Sequence, residues 1–176
     1  MDEKVIPTTI TIAIVLLAFV GMWVGWRRRT RSQDAELPPL PALPSQLGDV
    51  VAQARVLYAA TTRLTDPLDR ITARRLGFRA HGEVFVHPEG VVIERAGAEP
   101  LFIASESLLG AEAADWTIDK GVERGGLIAV HWAWGEFDVT TFLRPREASD
   151  GPAVIAAVNA LTPPPSAERR SRELMF

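Results

Sequence analysis

The sequence predicts a small antiparallel β-barrel closed by one C-terminal helix and preceded by a single membrane-spanning helix. Three observations predict it. Val5 to Trp26 carries no charged residue. Residues 127–143, LIAVHWAWGEFDVTTFL, alternate apolar and polar around a glycine turn. Residues 150–161, DGPAVIAAVNAL, repeat apolar side chains at helical spacing.

The first element is the apolar run. At about 1.5 Å per residue a helix of this length spans roughly 33 Å, enough for a hydrocarbon core of about 30 Å. Trp23 and Trp26 fall where an interfacial aromatic belt would lie, and Arg27, Arg28, Arg29 and Arg31 follow directly. The other flank, residues 1–4, holds two acids and one lysine. The positive-inside rule then places residues 1–4 outside and the arginines in the cytoplasm, beneath a plasma membrane. A cleaved signal peptide carries its positive charge at the opposite end, so residues 5–26 are expected as an uncleaved anchor. Gly21 and Gly25 form a GxxxG pattern that suits a helix-mediated dimer. The arginines suit contact with anionic lipid.

Residues 27–46 read as a linker, rich first in arginine and then in proline. Pro38, Pro39, Pro41 and Pro44 favour an extended polyproline II spacer. The folded domain is expected over 47–162, with a charged, disordered tail over 163–176.

Within the domain, residues 54–63 read as the first strand. Residues 66–82, DPLDRITARRLGFRAHG, read as a short helix capped by Asp66 and ended by Gly77. Residues 82–95 form a hairpin turning at Pro88-Glu89-Gly90. Residues 100–113 hold one strand and the start of another. The clearest hairpin turns at Gly135-Glu136. A type II′ turn there pairs Trp134 with Phe137, Trp132 with Val139, Val130 with Thr141 and Ile128 with Leu143. The final helix aligns Val154, Ile155, Val158 and Leu161 on one face, with Asp150 as its cap.

Composition narrows function. The net charge is −3, there is no cysteine, and arginine outnumbers lysine 17 to 2. A mild acidic balance gives no footprint for nucleic acid. Without cysteine there are no disulfides, thiolate nucleophiles or cysteine zinc sites. His81, His87 and His131 lack metal-ligand spacing, and Ser105 and Ser107 lack a nucleophile-elbow context. Residues 119–126, DKGVERGG, lack the order of a phosphate loop and read as solvated. No enzyme, cofactor or metal is expected.

The strand order resembles the pleckstrin-homology (PH) superfold. Tyr58 with Thr61-Thr62, Leu68-Asp69-Arg70-Ile71, Leu76-Gly77-Phe78-Arg79, Lys120 to Glu123, Trp132, and Thr141 to Arg144 carry the likeness. They are similar to a family of actinobacterial single-pass membrane proteins with a cytoplasmic PH-like domain, often labelled export or membrane proteins. The resemblance implies a fold and a location, and no established activity. PH domains that bind phosphoinositides hold phosphates with basic residues around the first two strands. Arg70, Arg74, Arg75 and Arg79 fall in that region, as a lipid or partner surface. The expected function is a membrane-anchored adaptor or scaffold that binds a protein. The alternatives are recognition of an anionic, phosphatidylinositol-type lipid by the arginines, and an accessory role in a transport or export complex.

Overall fold

The computed structural model describes residues 5–114 and 126–164. The chain forms two units, residues 1–36 and 37–176.

The first unit is helix α1, Val5–Glu36. Its stretch Thr8–Arg28 is long and apolar enough to cross a membrane, and none of it is buried. Its isoleucine, leucine and phenylalanine side chains are largely exposed, which suits a lipid environment. The Arg27 guanidinium lies 5.1 Å from the Trp23 ring centre, a cation–π contact. Nothing lies within 4 Å of where a side chain would begin at Gly21 or Gly25.

The second unit is mainly β, with strands β1 (Ala52–Arg63), β2 (Asp66–Arg70), β3 (Ala80–His87), β4 (Gly90–Arg95), β5 (Leu101–Ala104), β6 (Leu108–Ala114), β7 (Leu127–Trp134) and β8 (Phe137–Pro145). Helix α2, Asp150–Leu161, follows. The strands form one sheet in the order β5-β4-β3-β1-β8-β7-β6, with the short β2 paired to β1. Its two edge strands, β5 and β6, do not pair with each other, so the sheet is open and the expected closed barrel is corrected. The short 3₁₀ turn Ser105–Ser107 separates them. Helix α2 packs on β6 and β1. It buries Val154 and Val158 against Trp132, Leu143, Val56 and the rest of the core.

The β7–β8 hairpin has the expected register, with all four predicted pairs present. Gly135 takes φ of +61° at the first turn position, which glycine adopts without strain. Its missing side chain also admits the Pro38 ring, whose Cγ would lie 2.9 Å from an added Cβ. The β3–β4 hairpin pairs Val86 with Val91 and His87 with Gly90. A bulge at Ala59 lets Tyr58 pair with Leu143 and Ala60 with Phe142. The extra residue brings Thr61 onto the same face as Tyr58, against strict alternation.

Several expected elements differ, and the first is the linker, since α1 runs on to Glu36 through residues 27–36. The stretch 66–82 is no helix. It holds β2 and a 3₁₀ turn, Ala73–Arg75. Asp66 accepts the Leu68 N–H at 2.9 Å, so its carboxylate closes a local turn instead of a cap. The proline-rich stretch does not act as a free spacer throughout. Leu37 is buried in the core and Leu40 packs against it. At α2 the residue before the helix is Ser149, with no side-chain cap bond, and Asp150 lies within the first turn. The stretch 119–125, residues 1–4 and the tail from 165 onward lie outside the described residues.

Candidate functional site

The loop between β1 and β3 carries all four predicted arginines. Three apolar residues, Ile71, Ala73 and Leu76, pin it into the core, each essentially inaccessible to solvent. Main-chain bonds fasten it to β1: the Ile71 N–H donates to the Thr61 carbonyl at 3.0 Å, and the Thr61 N–H donates to the Leu76 carbonyl at 3.1 Å. With Ala73 and Leu76 both held inward, the residues between them take up the turn. Arg74 and Arg75 both adopt left-handed backbone, φ 50° and 59°. Such positions cost roughly 1–2 kcal/mol each for a residue with a side chain, so the anchored core imposes them.

This geometry divides the cluster. The Arg74 side chain turns back to the domain. Its Nη2 donates to the Leu37 carbonyl at 3.3 Å, and its guanidinium lies 6.0 Å from the Trp134 ring centre. Arg70 Nη1 donates to the Gly77 carbonyl at 3.3 Å and braces the loop from within. Arg75 and Arg79 instead line a cavity of about 220 Å³, with Phe78 and the turn at 96–98. Arg75 Nη1 donates to the Gly97 carbonyl across that cavity's rim.

The third guanidinium of the cavity belongs to Arg95, which the sequence reading did not single out. It ends β4 and is 5% exposed. Its Nη1 donates to the Arg75 carbonyl at 3.2 Å and its Nη2 to the Glu99 carbonyl at 2.9 Å. Its guanidinium lies 5.2 Å from the Tyr58 ring centre. Burial pushes its pKa down from the ordinary arginine value, though a guanidinium keeps its proton. A signal was present. Val91, Ile93 and Arg95 share one face of β4, so a charge stands where alternation demands a core residue.

The Tyr58 ring lies beside Arg95, fully buried. Burial pushes its phenol up to about 12. Elsewhere the arginines pair in the ordinary way: Arg55 with Glu83 at 3.2 Å and Arg63 with Asp69 at 3.0 Å.

The histidines lie apart. His81 is exposed beside Arg146, Arg55 and Glu83. His87 Nδ1 is 2.8 Å from the Gly48 carbonyl. Glu89 accepts the Gly48 N–H at 2.9 Å, and that bond holds its carboxyl below the usual range. His131 stands between Thr140 Oγ1 at 2.9 Å and Glu112 Oε1 at 3.5 Å, tying β6, β7 and β8 together. Thr140 is buried. Among the described residues no group of three or more histidines and carboxylates could hold a metal ion.

Residues 37–159 match the model of a family described as bacterial PH domain-like. Among solved structures, a chain of "The 8S snRNP Assembly Intermediate" is similar at 13% identity and a TM-score of 0.48, over 73% of this chain and 94% of that one. The C-terminal domain of an unknown protein from Leishmania infantum is similar at 11% identity and a TM-score of 0.40, over 62% of this chain and 84% of that one. No curated protein matches.

Proposed function

The chain belongs to the bacterial PH domain-like family, and from that premise we propose that it is a membrane-anchored interaction module whose domain docks a protein partner. The observation that carries this reading is one chain holding both an unburied apolar helix, Thr8–Arg28, and a separately packed PH-like unit. Such a helix tethers the domain to the membrane plane. Tethering raises the effective concentration of the domain toward anything else held there, so a weak contact becomes sufficient. An adaptor or scaffold role uses that gain, and so does a subunit of a larger transport assembly.

Arg27, Arg28, Arg29 and Arg31, at the end of the apolar stretch, support an orientation with the domain in the cytoplasm and the membrane as the plasma membrane. Protease added to intact spheroplasts is then expected to spare the domain and to cut it only after lysis. Cleavage before lysis reverses the topology.

The docking role is tested by crosslinking the full-length protein in its native membranes and identifying captured proteins by mass spectrometry. One dominant partner, lost when the domain is deleted and the helix kept, is the expected result. Capture that depends on the helix alone removes the domain from the role.

A further inference from the structure

The two edges of the sheet differ. Asn159 occupies the β6 edge at Ala111, with bonds of 2.7 and 2.8 Å. No described residue does this at β5. The direction of the β5 main chain follows from one bond, in which the Ser105 N–H donates to the Glu89 carbonyl at 2.9 Å. Bonded pairs alternate along an antiparallel ladder, and β4 and β5 pair without a register shift. Leu101 and Ile103 therefore bond to β4, and the main-chain groups of Phe102 and Ala104 point away from the sheet. Among the described residues nothing pairs with them. Edges are commonly blunted by a charge, a proline or a bulge within the strand, and β5, Leu101–Ala104, has none of these. Charges stand at its ends instead. Glu99 precedes it and Glu106 follows it, both exposed, and Glu94 of β4 lies on the face that Phe102 shares. Residues 96–114 contain no lysine or arginine. Arg75 and Arg95 reach the turn before the strand, where they bond to the Gly97 and Glu99 carbonyls.

We propose that the β5 edge receives an extended, basic segment of the partner protein, which adds one strand to the sheet beside Phe102 and Ala104. This deepens the docking role and rests on it. Phe102 and Ala104 each offer one N–H and one carbonyl, so the main chain of the segment makes the pairing. Glu99 and Glu106 favour lysine or arginine at its ends and oppose an acidic segment. Pro100 has no N–H, and a 3₁₀ turn follows Ala104, so the paired stretch is short. Such a contact is weak in free solution, and the membrane anchor supplies the effective concentration it needs.

The test uses the full-length protein in nanodiscs of phosphatidylcholine. Two synthetic peptides, one of alternating valine and lysine and one of alternating valine and glutamate, are titrated between about 10 µM and 1 mM. The readout is amide hydrogen exchange at Phe102 and Ala104. The expected result is exchange at least about fivefold slower at both amides with the lysine peptide, and unchanged exchange with the glutamate peptide. The blocking variant is Ala104→Pro. Ala104 has φ of −63°, which proline adopts, and its N–H faces away from β4, so the variant is expected to keep the parent's melting midpoint. It removes one donor from the edge and is expected to lose the protection at Phe102. No protection in the parent overturns the proposal, and so does equal protection by both peptides or protection that Ala104→Pro retains. The same variant is then crosslinked in native membranes. A partner captured by the parent and lost in the variant supports the edge as its seat. A partner captured equally by both overturns the edge and leaves the docking role standing. Capture through the helix alone removes the docking role, and the partner segment with it.

Discussion

Trp132 and Leu76 stand at the two ends of one buried chain of hydrogen bonds. The Trp132 indole donates to Thr141 Oγ1 at 3.0 Å. Thr141 Oγ1 lies 2.8 Å from Thr61 Oγ1, which lies 2.7 Å from the Tyr58 hydroxyl. Tyr58 donates to the Leu76 carbonyl at 2.7 Å. An indole can only donate and a carbonyl can only accept, so every proton between them must point toward Leu76. The chain ties the β7–β8 hairpin to β1 and β1 to the arginine loop. Thr141→Val breaks it in the middle and leaves the Trp132 N–H and Thr61 Oγ1 short of a partner in the core. The expected loss is about 2–4 kcal/mol in urea unfolding followed by circular dichroism. A loss below about 0.5 kcal/mol would show that the chain contributes nothing to stability.

Tyr58 is the only tyrosine, so its ionisation can be read directly from tyrosinate absorbance. Burial raises its pKa from 10.0 to about 12 in the folded state. The folded protein therefore holds the proton more tightly than the unfolded chain. Its contribution to stability is complete below pH 10 and is lost as the pH rises through about 12. The expected loss over that window is about 3 kcal/mol. A tyrosinate signal that appears near pH 10 with the fold intact would contradict the burial.

Asn159 closes the β6 edge. Its Oδ1 accepts the Ala111 N–H at 2.7 Å and its Nδ2 donates to the Ala111 carbonyl at 2.8 Å, as a paired strand would. An edge left open invites pairing with another chain. Asn159→Leu is expected to cost about 1–3 kcal/mol and to produce concentration-dependent association in light scattering. A variant that stays as dispersed as the parent would show that α2 alone protects the edge.

Leu37 sets where the domain begins. It is 4% exposed, Leu40 packs against the same core, and its carbonyl accepts from Arg74. Residues 37–176 are expected to fold without the helix. Starting at residue 47 instead removes the Leu37 side chain and frees Arg74, at a cost of about 2–4 kcal/mol. Equal melting midpoints for the two fragments would return this stretch to the role of a spacer.

The sequence by itself determined what depends on neighbours in the chain. An uncharged run between Val5 and Trp26 reads as a membrane-length helix because length and composition suffice. The β7–β8 register follows from period-two alternation across a two-residue turn, and Gly135 declares the turn type. Helix α2 follows from the spacing of Val154 and Val158. Tertiary structure decided everything that needs contacts between distant residues. It left β5 and β6 unpaired with each other and gave the β6 edge to Asn159. It drew Leu37 out of an apparent spacer. In the 66–82 stretch helical propensity yielded to the burial of Ile71, Ala73 and Leu76, which forced Arg74 and Arg75 into left-handed backbone. That step sent two of four neighbouring arginines to brace the loop and two to a cavity. It also brought Arg95, from another strand, between them. Local pattern cannot reveal such an arrangement, because the free energy that selects it comes from packing across the sheet.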